Sequence, residues 1–363
     1  MADVNEQDAK VYKDIAEALA GSVPGWLGAG TRFDASQTPE RRTFAHSFIA
    51  RYAFGQGREA GHVLVKVPHR PNQTDLQSSL ADETLRQPAL NVYARMQATW
   101  QAFERIGDPD CVAVRTLGFL EPWSAIAMLE VEGLALRSLL DRPRVGFGRS
   151  GPAGRLVECL GKAARWLRHY HEQVGGLRVG PVSKALMAAR LDKVAGDVAD
   201  HLGSRYNAPR NLSALRERIG EASGPEPVAR LHGDFHASNI LVTPRGGVCV
   251  LDPRGDPDPR SVYDDLATFL IDLHLKPIPV LTGGLFTRKL FEQSRQALVE
   301  GYFEPGEYRP ALLDFYCACE AIFKWSMDER DFTRRKKMRM VAPLARPILT
   351  SYMHGLISRY LQA

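Results

Sequence analysis

A chain of 363 residues with 47 Lys and Arg against 42 Asp and Glu carries a formal charge of +5, too small for its length to imply nucleic acid. Its 44% hydrophobic and 25% charged residues are ordinary for a globular protein large enough for more than one core. Five cysteines include no C-x-x-C pair, which excludes a disulfide framework and a structural zinc site and fits a reduced, cytoplasmic setting. Residues 1–20 are acidic and amphipathic, unlike a signal peptide, and no apolar run approaches the ~20 residues needed to span a bilayer.

In chain order, residues 6–20 are predicted helical, because Val11, Ile15, Ala16 and Leu19 recur at helical spacing. Gly21 to Gly30 reads as a loop. From Thr31 to Pro68 the pattern is that of strands: Phe44, His46, Phe48 and Ala50 alternate with Ala45, Ser47, Ile49 and Arg51. Gly55-Gln56-Gly57 and Gly61 mark a plain hairpin turn, and His62 to Pro68 is a buried-looking strand interrupted by Lys66. That lysine is either an edge residue whose stem reaches to water or a charge held for an anion. The turn between the first two strands is placed at Ala35-Ser36-Gln37-Thr38-Pro39, which has no glycine but offers hydroxyls and backbone N–H groups. Tyr93, Met96, Trp100 and Phe103 step along a helix with Pro88 in its first turn. Glu83 then lies ahead of that helix, and Asn91 and Val92 within it are not acidic. Strands over 111–122 and 124–131 complete a small sheet, which ends in Leu129-Glu130-Val131-Glu132-Gly133.

After Gly133 the texture is mostly helical. A short helix over 134–140 and a loop over 143–154 precede a long helix over 154–173, with Leu156, Leu160, Ala163 and Leu167 on one face. His169 and His171, two apart, point to different faces and do not make a metal pair. Two helices within 181–220 are separated near Tyr206-Asn207-Ala208-Pro209, and 221–227 reads as a loop. The last hundred residues give helices at 264–275, 285–302, 309–328 and 340–361. Glu304, Glu307, Asp314 and Glu320 are read as a solvated face, not as a pocket for a cation. The basic run Arg334-Arg335-Lys336-Lys337-x-Arg339 is either an exposed helix start or an anion-contacting patch.

The densest chemistry lies at Leu231-His232-Gly233-Asp234-Phe235-His236-Ala237-Ser238-Asn239-Ile240-Leu241, followed by Val248-Cys249-Val250-Leu251-Asp252. This reads as a loop, a short strand, a turn at Pro244-Arg245-Gly246-Gly247, and a second strand ending in an acid. If the two strands pair as a hairpin, Asp234, Asn239 and Asp252 converge. Phosphoryl transfer from ATP needs such a set: one carboxylate to accept the proton of the incoming hydroxyl, and an amide and a second carboxylate to hold Mg²⁺. His232 is expected to buttress the loop, whereas His236 is open to either an acceptor or the surface. Arg254 suits charge neutralisation or a pair with Asp256 or Asp258.

His232-Gly233-Asp234 with Asn239, then an apolar strand ending at Asp252, resembles the catalytic and metal-binding segments of aminoglycoside phosphotransferase-like kinases, in which HGD replaces the HRD of protein kinases. The resemblance is specific over roughly 229–272 and extends to Tyr263-Asp264-Asp265-Leu266-Ala267, where an aspartate caps a helix and braces the catalytic loop. It implies an α+β, two-lobed protein-kinase-like fold, with a small antiparallel-sheet lobe over 1–131 and a larger helical lobe over 132–363. It also implies ATP and Mg²⁺ as cosubstrate and cofactor, Asp234 as base, Asn239 and Asp252 as metal ligands, and Lys66 gripping the nucleotide phosphates. The backbone of Leu129, Glu130 and Val131 would meet the adenine edge. The acceptor is expected to be a small-molecule hydroxyl, a sugar or metabolite before an antibiotic, with no nucleic acid and no membrane span. The glycine-free turn and the missing helix glutamate point to an alternative, a catalytically weak kinase-like protein that binds nucleotide and regulates. Phosphorylation of protein side chains is disfavoured by the short segment between Asp252 and Tyr263. Nothing in the sequence specifies an oligomeric state.

Overall fold

The computed structural model describes residues 6–44, 46–55, 60–70, 73, 75–140, 152–202, 208–254, 257–275, 288–334 and 336–362. In chain order its first elements are α1 (Glu6–Leu27), β1 (Glu40–Thr43), β2 (Ser47–Phe54), β3 (Gly61–Pro68), α2 (Leu76–Leu80), α3 (Arg86–Ile106), β4 (Cys111–Val112), β5 (Thr116–Leu120) and β6 (Ala125–Leu129). Then come β7 (Leu134–Ala135), α4 (Leu136–Leu140), α5 (Pro152–Gln173), β8 (Arg178–Pro181), α6 (Lys184–His201), α7 (Ala208–Glu221), β9 (Pro225–Arg230), β10 (Ile240–Val242), β11 (Val248–Val250) and β12 (Pro259–Ser261). Four helices finish the chain: α8 (Tyr263–Leu275), α9 (Arg288–Tyr302), α10 (Pro310–Arg334) and α11 (Lys336–Gln362). These form two compact units, one of residues 1–133 with 243–255, the other of 134–242 with 256–363. No described helix is long and apolar enough to cross a membrane.

The first unit is built on a five-stranded antiparallel sheet in the order β1-β2-β3-β6-β5. Alternation along β3 sends Val63, Val65 and Val67 into the core and leaves His62, Leu64 and Lys66 half-buried on the opposite face. Against the core face lies α1, whose Val11, Ile15, Leu19 and Val23 repeat every four residues and pack with Phe48, Ala50 and Tyr52. The helix runs on through Gly21 and Pro24, where a loop was expected. Burial of Val23 and packing of Trp26 and Leu27 on the same core outweigh the roughly 3 kcal/mol a helix-interior proline costs. Residues 56–59, including the expected turn residue Gly57, and residues 71, 72 and 74 lie outside the described set.

Two expectations in this unit are corrected. The alternating run from Phe44 to Arg51 is broken by the turn between β1 and β2, closed by Phe44 N–H donating to Ser47 O at 2.8 Å. β1 therefore ends at Thr43 and β2 begins at Ser47, and the break between these strands lies there, not at 35–39. Residues 34–37 instead form a side-chain turn in which Gln37 bonds both the N–H and the C=O of Ala53 and acts as a one-residue strand. The strand expected over 111–122 is two pieces: β4 pairs in parallel with β11, and only β5 joins the five-stranded sheet.

The second unit is mainly helical. α8 is buried on nearly every side, as its almost continuous apolar run requires, and α10 packs on it. A three-stranded sheet, β12-β9-β8, occupies what read as the loop before residue 228. Pro225 and Pro227 remove two N–H donors from β9, which hid the strand; Glu226 between them is fully buried and accepts from Ser183 N–H and Tyr316 O–H. The acids read as a solvated face are largely not one. Asp314 and Glu320 are both 3% exposed, and Arg295 reaches Asp314 at 2.7 Å while Arg190 bridges Glu320 and Asp264. Glu307 accepts from Arg168 at 2.6 Å, and Glu304 alone is exposed. Long-range arginine partners put these carboxylates inside. The long helix begins at Pro152, inside the expected loop; residues 141–151 and 203–207 lie outside the described set. Of the basic run, Arg334 ends α10 and Arg339 lies in α11, both exposed; Arg335 and the side chains of Lys336 and Lys337 lie outside it.

Candidate active site

Within the first unit, Lys66 and Asp252 meet although 186 residues separate them. The ammonium donates to Asp252 Oδ1 at 2.5 Å, with the lysine side chain 17% and the aspartate side chain 45% exposed. Asp252 follows β11 and has φ +59°, one of two described non-glycine residues in the left-handed region. An aspartate tolerates that backbone at a cost of order 1 kcal/mol, so its neighbours hold it there. Pairing of β11 with β4 on one side and the Lys66 ion pair on the other do so. Glu83 sits exposed on a short 3₁₀ turn, Glu83–Leu85. Asp252, not a helix acid, is thus the partner of Lys66.

The turn between β1 and β2 has a support that sequence reading missed. His69, 6% exposed, bonds Phe44 O through Nε2 at 2.8 Å, donates its N–H to His46 O at 3.0 Å, and lays its ring on Phe48 at 4.4 Å. Its position just past a strand end carried no signal. At the other end of the sheet, Leu129 donates its N–H to Arg115 O and Glu130 to His62 O. The Glu130 carboxylate accepts from Arg51 Nε at 2.9 Å and Nη2 at 2.8 Å and lies 3.0 Å from His62 Nδ1. This segment is therefore fastened by a side chain, a contact the reading of its backbone did not foresee. Val131 is half-buried beside it.

Within the second unit, the loop after β9 is held from below by α8. Asp265 accepts from His232 N–H at 2.8 Å and from Gly233 N–H at 2.9 Å, one carboxylate oxygen each, and from His171 Nε2 at 3.1 Å. Burial alone would raise the Asp265 carboxyl, but the hydrogen bond from His171, the charges of His171 and His232 and the Gly233 N–H hold it below the usual carboxylate value. Gly233 has φ +78°, so the tight turn needs glycine at that point. Two turns further along α8, Asp272 accepts from Ala237 N–H at 3.3 Å. His232 is fully buried, edge-on to Trp166 and Tyr170, and buttresses the loop as expected of it. Phe235, also buried, packs on Phe269.

That bracing presents Asp234 and Asn239. Asn239 ends a 3₁₀ turn and donates Nδ2 to both the backbone oxygen and Oδ2 of Asp234, each at 3.0 Å. His236 Nε2 lies 3.7 Å from Asp234 Oδ2 while its Nδ1 accepts from Ser238 N–H, so the histidine flanks the carboxylate. The turn expected after Leu241 is present: Thr243 N–H donates to Gly247 O at 2.8 Å, and Gly246 takes φ +83°. Arg254 is exposed, and Gly255 and Asp256 lie outside the described residues. With Asn239's amide protons committed to Asp234, its remaining donor atom is an oxygen. Asp252 adds carboxylate oxygen. Each of the two residues, in its own unit, thus offers hard oxygen, the donor type that a hard divalent cation takes and a soft metal does not.

No family model and no curated protein matches the chain. Solved structures do. A glucosamine kinase in complex with glucosamine, ADP and inorganic phosphate aligns with a TM-score of 0.56 at 14% identity, covering 96% of this chain and 82% of that one. Crystal form B of glucosamine kinase gives 0.56 at 15%, with 96% and 84% covered. An amicoumacin kinase in complex with AMP-PNP, Ca²⁺ and Ami gives 0.52 at 12%, with 97% and 96% covered. At such identities the likeness shows the fold, the two-lobed α+β architecture of small-molecule kinases.

Proposed function

We propose that this chain is an ATP-dependent phosphotransferase that moves the γ-phosphoryl group to a hydroxyl of a small molecule. The observation that carries the reading is the ion pair of Lys66 with a left-handed Asp252, a cation and a metal-binding type of carboxylate brought together across 186 residues. Asp234 is the base that accepts the hydroxyl proton, oriented by the two hydrogen bonds from Asn239. Asn239 and Asp252 hold Mg²⁺, which when bound neutralises charge on the phosphate oxygens. Lys66 sets its compact charge against the same phosphates, and the backbone of Leu129, Glu130 and Val131 reads the adenine edge. In this reading residues 1–131 bind nucleotide and 132–363 carry the base and the acceptor-binding helices, while the strand ending at Asp252 groups with the nucleotide-binding unit.

A neutral or weakly charged polyol, sugar or metabolite is the favoured acceptor class. Asp314, Glu320 and Glu307, acids that the sequence offered for a cationic acceptor, are already paired with arginines. The relatives in fold include a glucosamine kinase and an amicoumacin kinase, which makes amino sugars and hydroxylated antibiotics the next classes. A second reading, a nucleotide-binding protein with little transfer activity, draws on the sequence between Thr43 and Ser47, the ends of β1 and β2, which holds no glycine. The test is an ATP-consumption screen with Mg²⁺ across sugars, amino alcohols and antibiotics. Saturable consumption with one acceptor is expected; nucleotide binding without turnover on any of them favours the second reading.

A further inference from the structure

The catalytic loop is tied to a helix that sequence reading did not connect with it. His171, on α5, is fully buried with its two ring nitrogens engaged on opposite sides: Nε2 lies 3.1 Å from Asp265 Oδ2, and Nδ1 lies 2.7 Å from the hydroxyl of Tyr302 at the end of α9. A carboxylate only accepts, so the proton belongs on Nε2. The Tyr302 hydroxyl can donate or accept, and in the neutral imidazole it donates to Nδ1. Burial, which outweighs the opposing charge of Arg168, raises the Tyr302 hydroxyl well above its usual value and keeps it protonated, able to donate. The guanidinium of Arg168 lies over the Tyr302 ring and is itself neutralised by Glu172 and Glu307.

We propose that Tyr302 is a positioning residue for the transfer reaction: its hydroxyl holds the His171 ring in the orientation that donates Nε2–H to Asp265, and through Asp265 that ring steadies the two N–H groups that shape the Asp234 loop. The chain of donors is Tyr302 O–H to His171, His171 Nε2–H to Asp265, and, from the other side, His232 and Gly233 N–H to the same carboxylate. Tyr302, His171, Asp265 and His232 are buried and Gly233 is half-buried, so the hydrogen bonds among the first four lack competition from water and an unmet partner is penalised. Without the tyrosine hydroxyl, Nδ1 becomes an unmet acceptor. The ring then loses the contact that fixes its orientation, and the Nε2–H bond to Asp265, one of that carboxylate's three donors, weakens. Asp234, the residue after Gly233, loses its fixed backbone.

The catalytic half of this proposal rests on the phosphotransferase reading, and the structural half does not. Tyr302→Phe in the full chain separates them. ¹H–¹⁵N spectra of the wild type are expected to show a His171 Nε2–H that exchanges slowly with water, and the variant one that exchanges faster as its bond to Asp265 weakens. Amide exchange at His232 and Gly233 is expected to quicken about tenfold. Turnover should fall by a similar factor with the KM for Mg·ATP unchanged, and His171→Gln, which keeps an N–H donor, should retain more turnover than His171→Leu. A variant whose His171 Nε2–H, or whose two amides, exchange at the wild-type rate overturns the proposal. If the wild type transfers no phosphate at all, the phosphotransferase reading fails, while the spectra and the exchange rates still decide the relay.

Discussion

Asp234 carries the chemistry of the proposed reaction, and its surroundings say how it should fail. Its carboxylate is oriented by Asn239 and flanked by His236, and the loop beneath it is fixed by Asp265 and Asp272. Asp234→Asn keeps the shape and the Asn239 contact to the backbone, so nucleotide affinity should persist while turnover falls by roughly 10²–10⁴, the scale of a lost general base. Asp252→Ala removes both a metal ligand and the partner of Lys66; calorimetric titration is expected to show ATP affinity weakened and no longer dependent on Mg²⁺. The site residues nearest one another in sequence were legible in it, because the loop residues 232–239 act through local geometry. That Asp264 or Asp265 braces the loop was legible from their place at a helix start, but the choice of Asp265 was not. His69, His171, Tyr302 and the Glu130–Arg51 pair were not, because each works through a contact with a residue far along the chain.

At the scale of elements, two features make predictions that do not depend on the reaction. The helices that carry His171 and Tyr302 approach closely through glycine. A Cβ at Gly301 would collide with the backbone oxygen of Gly161, which is main chain and cannot swing aside. Gly301→Ala should therefore destabilise the protein by about 1–3 kcal/mol in chemical denaturation, although alanine is the better helix former. The second feature is His274 at the end of α8, buried against Phe291 with Tyr360 O–H at 3.2 Å from Nε2. Burial, with Arg359 and Arg295 nearby, pushes its pKa from 6.5 down to about 3. The unfolded chain takes up that proton near pH 6.5 and the folded chain does not, so this stability is complete above pH 6.5 and is lost as pH falls from there toward 3. At about 1.36 kcal/mol per pH unit, the loss is about 2 kcal/mol by pH 5, and His274→Gln should flatten that slope between pH 7.5 and 5. Element reading from sequence succeeded where periodicity was strong, as in α1, α3 and α5. It failed where tertiary burial overrode a breaker, as at Pro24, or where prolines masked a strand, as at Pro225 and Pro227.

For the whole molecule, the two units divide the proposed labour. One holds Lys66, Asp252 and the segment of Glu130; the other holds Asp234 and Asn239 on a loop braced by buried helices. The architecture was legible because the strand-rich and helix-rich halves differ in period. The grouping of residues 243–255 with the first unit was not, since it depends on β11 pairing with β4 across more than a hundred residues. The central claim is that the carboxylate of Asp234 delivers a hydroxyl to the γ-phosphoryl of ATP. It is tested most directly by ³¹P spectra of the acceptor product, recorded for the wild type and for Asp234→Asn at matched Mg·ATP occupancy. A phosphomonoester that forms with the wild type and fails to form with the variant is the predicted result; equal product from both contradicts it.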